Sequence, residues 1–172
     1  MTATYDAIAT TTLGSNQASV TFSGISGSFT DLFIVMVARS DRASTNDILR
    51  IGFNSDTNAS NYSATNIAAD TGAGTAYSNR YTRGSYYGPI FPGLPAASHT
   101  AGVFGNVLVS INNYSNTTTN KTYLARGNPM VDVGASVGLW NNTAAISSIV
   151  ISAAFGNLIS GSTFTLYGIK AE

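Results

Sequence analysis

The chain has 172 residues, 44% of them hydrophobic and only 9% charged, where an ordinary soluble domain carries about 25% charged residues. Eight basic side chains balance eight acidic ones. The basic surplus that phosphate neutralisation needs is therefore missing, as is the high net charge that keeps chains unfolded, so nucleic-acid binding and disorder are both disfavoured. There is no cysteine, one histidine (His99) and one glutamate (Glu172). Disulfides and thiolate chemistry are excluded, and general acids and bases are so scarce that an enzyme is not expected.

Strand signals recur along the chain, and helix signals do not. Residues 5–12 form a first candidate strand, and 18–22 (ASVTF) alternates polar with apolar residues before a Gly/Ser-rich turn. The run 32–38 (LFIVMVA) is the longest apolar stretch, far short of the about twenty residues of a membrane-spanning helix. It reads as a strand buried on both faces. Residues 48–53 (ILRIGF) set Leu49, Ile51 and Phe53 opposite Ile48, Arg50 and Gly52, the pattern of a half-buried strand. The following NSDTNASN, 54–61, offers oxygens on Asp56, Asn58 and Ser60 at alternate positions. It lacks the glycine and the bidentate acid of a calcium loop, so a hydrogen-bonded Asx turn is expected, with no metal and no cofactor.

Residues 70–102 read differently. They contain Pro89, Pro92 and Pro95, whose spacing fixes φ and removes donors, and a long Tyr/Pro-rich loop or arm is expected there. Tyr77, Arg80, Tyr81, Arg83, Tyr86 and Tyr87 interleave rings with guanidinium groups, and Ile90, Phe91 and Leu94 add apolar weight. Together these nine residues form the expected interaction surface. It is either a contact with another protein, where Tyr and Arg concentrate, or a stacking platform for sugar rings. Ser98, His99 and Thr100 follow in a row. A serine beside a histidine in sequence is no triad, even with Asp70 or Asp132 elsewhere, because the contact that matters is spatial.

The second half repeats the strand style at 103–111 (VFGNVLVSI), 121–126 (KTYLAR), 136–140 (SVGLW), 146–153 (ISSIVISA) and 163–169 (TFTLYGI), with an Asn/Thr-rich turn between the first two. About nine or ten strands over this length predict a single all-β domain spanning 1–172, an antiparallel two-sheet β-sandwich of jelly-roll type. The N-terminus has no charged and apolar leader, so synthesis in a cytoplasm is expected.

The segments TYDAIATTTLGSNQASVTFSGI (4–25), SFTDLFIVMVAR (28–39), LRIGFNSDTNASNYSAT (49–65), VGLWNNTAAISSIVIS (137–152) and GSTFTLYGIK (161–170) together resemble a group of tailed-bacteriophage virion proteins found in phages of aquatic bacteria and cyanobacteria. The resemblance implies a β-rich virion part without catalytic residues. It would be a capsid cement or decoration protein that forms a homo-oligomer, by default a trimer, and binds the major capsid protein. The alternative is a tail or fibre module that binds host surface glycans.

Overall fold

The computed structural model describes residues 4–70, 74–128 and 132–170. Its strands are β1 (Tyr5–Thr12), β2 (Ser19–Phe22), β3 (Asp31–Ala38), β4 (Asn46–Phe53), β5 (Tyr62–Asp70), β6 (Thr75–Tyr81), β7 (Pro89–Pro95), β8 (Gly105–Asn112), β9 (Lys121–Asn128), β10 (Asp132–Trp140), β11 (Ile149–Ala153) and β12 (Thr163–Ile169). All pairings are antiparallel, in one eight-stranded sheet ordered β1-β12-β3-β8-β9-β10-β5-β6 and one four-stranded sheet ordered β2-β11-β4-β7. The protein is an all-β, two-sheet, jelly-roll-like sandwich. It has twelve strands among the described residues, more than the sequence pattern predicts.

Side-chain alternation places the core. Leu32, Ile34 and Met36 of β3, Leu49, Ile51 and Phe53 of β4, Val107, Val109 and Ile111 of β8, and Phe164 and Leu166 of β12 are all fully buried between the sheets. The run 32–38 is nevertheless buried on one face only: Phe33 and Val35 are half-buried on the other, and Val37 is exposed. A continuous apolar run cannot distinguish the two cases by periodicity, and here its second face points away from the small sheet.

The expected arm at 70–102 is the main correction. Both its halves are paired strands: β6 completes the edge of the large sheet beside β5, and β7 pairs with β4 at the edge of the small sheet. Residues 71–73 of the segment lie outside the described residues. An edge strand tolerates prolines because its outer N–H groups are not needed by a ladder. The groups of β7 that face the large sheet are taken up by side chains instead. The Phe91 N–H donates to Ser136 Oγ at 2.8 Å, Ser136 Oγ donates to the Phe91 carbonyl at 2.9 Å, and Tyr123 Oη donates to the Pro89 carbonyl at 2.9 Å. Ile90 and Leu94 are completely buried. They belong to the core and not to an interaction surface.

An aromatic plug closes one end of the sandwich. The Phe53 ring lies 5.5 Å from Trp140 and 6.0 Å from Tyr123, and Tyr62 stacks on Trp140 at 6.4 Å. The plug requires Gly138, because a Cβ there would sit 1.9 Å from Tyr123 Cζ. At the other end, the buried Arg39 guanidinium donates to the carbonyls of Ala97, His99, Thr100 and Val103, at 2.6 to 3.3 Å. It thereby pins the loop between β7 and β8.

Candidate functional site

The nine residues of the expected interaction surface lie in different parts of the fold. Tyr77 packs edge-on against Phe91 at 5.9 Å, where β6 approaches β7. Tyr87 is a structural cover: its ring lies 4.6 Å beneath the Arg50 guanidinium, and its hydroxyl bonds Ser152 Oγ at 2.8 Å on the outer side of the small sheet. The turn that follows is enforced at Gly88, where φ is +42° and a Cβ would lie 1.7 Å from the Ile51 carbonyl oxygen. Arg80 is exposed opposite Thr65 on the outer face of the large sheet, and Arg83 is exposed in the β6–β7 connection. Ile90 and Leu94 are core.

Tyr81 and Tyr86 do come together, and they are joined by two residues from outside the 70–102 segment. The Tyr81 and Tyr86 rings are 5.9 Å apart, Tyr86 is 6.1 Å from Phe155, and the Arg42 guanidinium carbon sits 4.3 Å over the Phe155 ring. Both ring pairs are edge-to-face, the arrangement that opposed ring quadrupoles favour. Phe155 is 54% exposed, and Tyr81 and Tyr86 are half-buried. Burial and the neighbouring Tyr86 push the Tyr81 phenol above its ordinary range, so it stays a protonated donor. The result is a strip of rings that three chain segments build: the end of β6, the β6–β7 connection, and the turn after β11.

Polar groups flank the Phe155 end. The Asp41 carboxylate accepts from the Asn157 N–H at 2.7 Å, from Asn157 Nδ2 at 3.1 Å and from Asn16 Nδ2 at 3.2 Å. The bonds from Asn157, aided by Asn16, outweigh the slight burial and hold this carboxyl below its usual range. Gly156 makes the approach possible, since a Cβ there would meet the Arg42 backbone nitrogen at 2.7 Å. Asp47 lies deeper, fully buried, and accepts from Ser40 Oγ and from the N–H groups of Ile48 and Phe155. The sequence signal for this patch is a lone phenylalanine between small and polar residues, Ala154-Phe155-Gly156-Asn157, in a turn where apolar burial has no use for it.

The other candidates resolve as structure. Asp56 accepts from Trp140 Nε1 at 2.8 Å, Asn61 Nδ2 at 2.8 Å and the Asn58 N–H at 2.9 Å, while Asn58 Oδ1 accepts from the Ser60 N–H at 3.0 Å. The Asp56 and Asn58 oxygens that imitate a calcium loop are thus turned to protein donors. Nδ1 of His99 is buried without a partner, and its carbonyl is held by Arg39. Asp70 and Asp132 face each other in the β5–β10 ladder, and their side chains lie outside the described residues. Among the described residues, no three His, Cys, Asp or Glu side chains converge on a common point, and no helix is long and apolar enough to cross a membrane.

No protein-family model matches the sequence, and no curated protein matches it. Among solved structures, the chain is similar in fold to the galectin LEC-6 of Caenorhabditis elegans, at 7% identity and a TM-score of 0.35, covering 94% of this chain and 96% of that one. It is similar to the exo-inulinase of Aspergillus awamori at 12% identity and a TM-score of 0.43, covering 96% of this chain but 29% of that one. The alginate lyase Aly36B matches at 13% identity and a TM-score of 0.36, over 93% and 77% of the two chains. Likenesses at these identities extend to the two-sheet arrangement and no further.

Proposed function

We propose that this protein is a non-catalytic binding module that takes a saccharide chain along the strip Tyr81, Tyr86, Phe155. The observation that carries this reading is the continuity of the strip. Successive ring centres are 5.9 and 6.1 Å apart with neighbouring rings edge-to-face, so the strip offers an unbroken apolar surface of ring faces and edges, and polar groups stand beside the most exposed ring. The apolar faces of sugar rings pack on aromatic faces, while sugar hydroxyls need donors and acceptors held in place beforehand. Arg42 supplies donors, the ionised Asp41 accepts, and the Tyr81 and Tyr86 hydroxyls do both. Hydrolysis has no support here. A glycosidase needs one carboxyl protonated as an acid beside a second that is ionised. Of the two carboxylates near the strip, Asp41 is held ionised and Asp47 is buried behind the Phe155 backbone.

Saturation-transfer NMR against a panel of neutral and acidic oligosaccharides tests the reading. Binding is expected to saturate sugar-ring protons, and Phe155→Ala, which removes the most exposed ring of the strip, to weaken it about tenfold or more. If no saccharide binds at millimolar concentration, or if Phe155→Ala and Tyr86→Ala leave binding unchanged, the reading is lost.

A second reading, a cement or decoration subunit on a capsid, is favoured by a different observation. Ile67 and Val137 on the outer face of the large sheet are 64% and 57% exposed, a contact surface of protein-binding character. Cosedimentation with purified heads that lack the subunit distinguishes the readings. Capsid binding that survives Phe155→Ala and fails with Val137→Arg would favour cement over glycan recognition.

A further inference from the structure

Seven large hydrophobic side chains are exposed among the described residues, and six of them stand on one surface. Tyr5, Val37, Ile67, Leu124, Val133 and Val137 all project from the outer face of the eight-stranded sheet; the seventh is Phe155 of the aromatic strip. Strand register places them in adjoining rows. Ile67 of β5 is opposite Ala135 of β10, which is opposite Arg126 of β9; Thr65 is opposite Val137, and Val137 opposite Leu124. At the far side, Tyr5 lies edge-on to Phe33 at 6.1 Å and to Tyr167 at 6.4 Å. Charge at outward positions of these strands comes, among the described residues, from Arg80, Arg126 and Asp31.

We infer that this face is the contact between two copies of the chain, packed sheet on sheet about a two-fold axis. The first argument is size. Eight strands at about 4.8 Å spacing, with about seven residues each at 3.3 Å rise, present a face of roughly 900 Å², enough for the about 800 Å² that each partner of a stable interface contributes. The second is relief. The face is shallowly uneven: the small residues Ala69, Ala76 and Ala135 leave an open depression between the projecting Ile67 and Val133, with further shallow dips beside Arg80, Leu124 and Leu108. A surface that holds both projections and hollows can be complementary to itself, as an isologous contact requires. The third is charge. The chain is neutral overall, and this face of eight strands carries, among the described residues, only Arg80, Arg126 and Asp31, so the repulsion between two copies is that of a single surplus positive charge on each, weak against apolar contact and screened by salt.

Such a contact closes on itself and stops at two copies, so it predicts a dimer where the sequence resemblance implies a trimer. The position of β9 near the middle of the sheet order puts Leu124 close to the axis. The aromatic strip lies outside the face and stays open in the dimer.

Sedimentation velocity on the whole chain at about 100 µM is the first measurement, and a dimer is expected. Val137→Arg should raise the dissociation constant about tenfold or more. The chain has no cysteine, so single cysteines report proximity without interference. Under mild oxidation, Leu124→Cys should give a disulfide-linked dimer, whereas Thr57→Cys, exposed in the turn that follows β4 of the other sheet, should remain monomeric on a denaturing gel. The cysteine pair keeps the test informative if Val137→Arg fails to fold. A chain that is monomeric throughout overturns the inference. So does a dimer unaffected by Val137→Arg, or one in which Leu124→Cys does not crosslink.

Discussion

Asp56 receives three hydrogen bonds from Trp140, Asn61 and Asn58 and ties the turn after β4 to the aromatic plug. Burial alone would raise its carboxyl pKa, but these donors outweigh it and hold the pKa below the ordinary 3.8. A carboxyl whose folded pKa is depressed contributes stability that is present above its unfolded pKa and lost as pH falls through the folded one. The urea midpoint should therefore be flat from about pH 7 to about pH 5 and fall below about pH 4, with a shallower fall in Asp56→Asn. An unchanged slope in that variant would remove Asp56 from the acid transition. Asn66 is the opposite case. It is buried on the inner face of β5 with neither side-chain polar atom bonded, a cost of about 1–3 kcal/mol for each unmet group. Asn66→Leu should raise the melting temperature, corresponding to about 1 kcal/mol or more, and calorimetry reads this directly. Gly138→Ala should act the other way, losing about 1–3 kcal/mol as the Tyr123 ring is displaced.

At the level of elements, β3, β4, β8 and β12 are legible in the sequence because their inward positions are large and apolar and their turns are marked by Gly, Ser or Asn. β5 and β6 are not. The inward residues of β5 are Tyr62, Ala64, Asn66 and Ala68, whose alternation has almost no hydrophobic contrast. β6 exposes nearly everything but Tyr77 and Tyr81. β7 is hidden by a sound rule used beyond its range: proline disfavours strands in general, but not an edge strand whose neighbours bond its backbone by side chains. The site is half legible for a related reason. Aromatic and basic interleaving at 77–87 marks the segment that supplies Tyr81 and Tyr86 to the proposed strip, whereas Phe155 and Arg42 join it only through the packing of β4 and β11. Ser136 is the element-level test. Ser136→Ala leaves the Phe91 N–H and carbonyl without their shared partner, at about 1–2 kcal/mol. Amide exchange should accelerate at Phe91 and its β7 neighbours while β3 and β8 keep their protection; equal acceleration everywhere would mean that β7 is not held separately.

For the molecule as a whole, scarcity of charge has two consequences that pull apart under salt. A pI near 6.5 and a formal net charge of zero leave no long-range repulsion between copies, so weak, non-specific association should grow as pH approaches that value. The sheet-on-sheet dimer rests instead on apolar area, and apolar burial is little screened by ions and carries a negative heat-capacity change. Its dissociation constant, measured by sedimentation equilibrium from about 0.05 to about 0.5 M NaCl, should stay within about twofold. Calorimetric dilution at several temperatures should give a dissociation enthalpy that rises with temperature. A dimer that dissolves in salt would be held by Arg126, Arg80 and Asp31 and not by the face between them. Salt-insensitive association abolished by Val137→Arg would instead mean that the residues left outside the core form a second apolar layer, completed only by another copy of the chain.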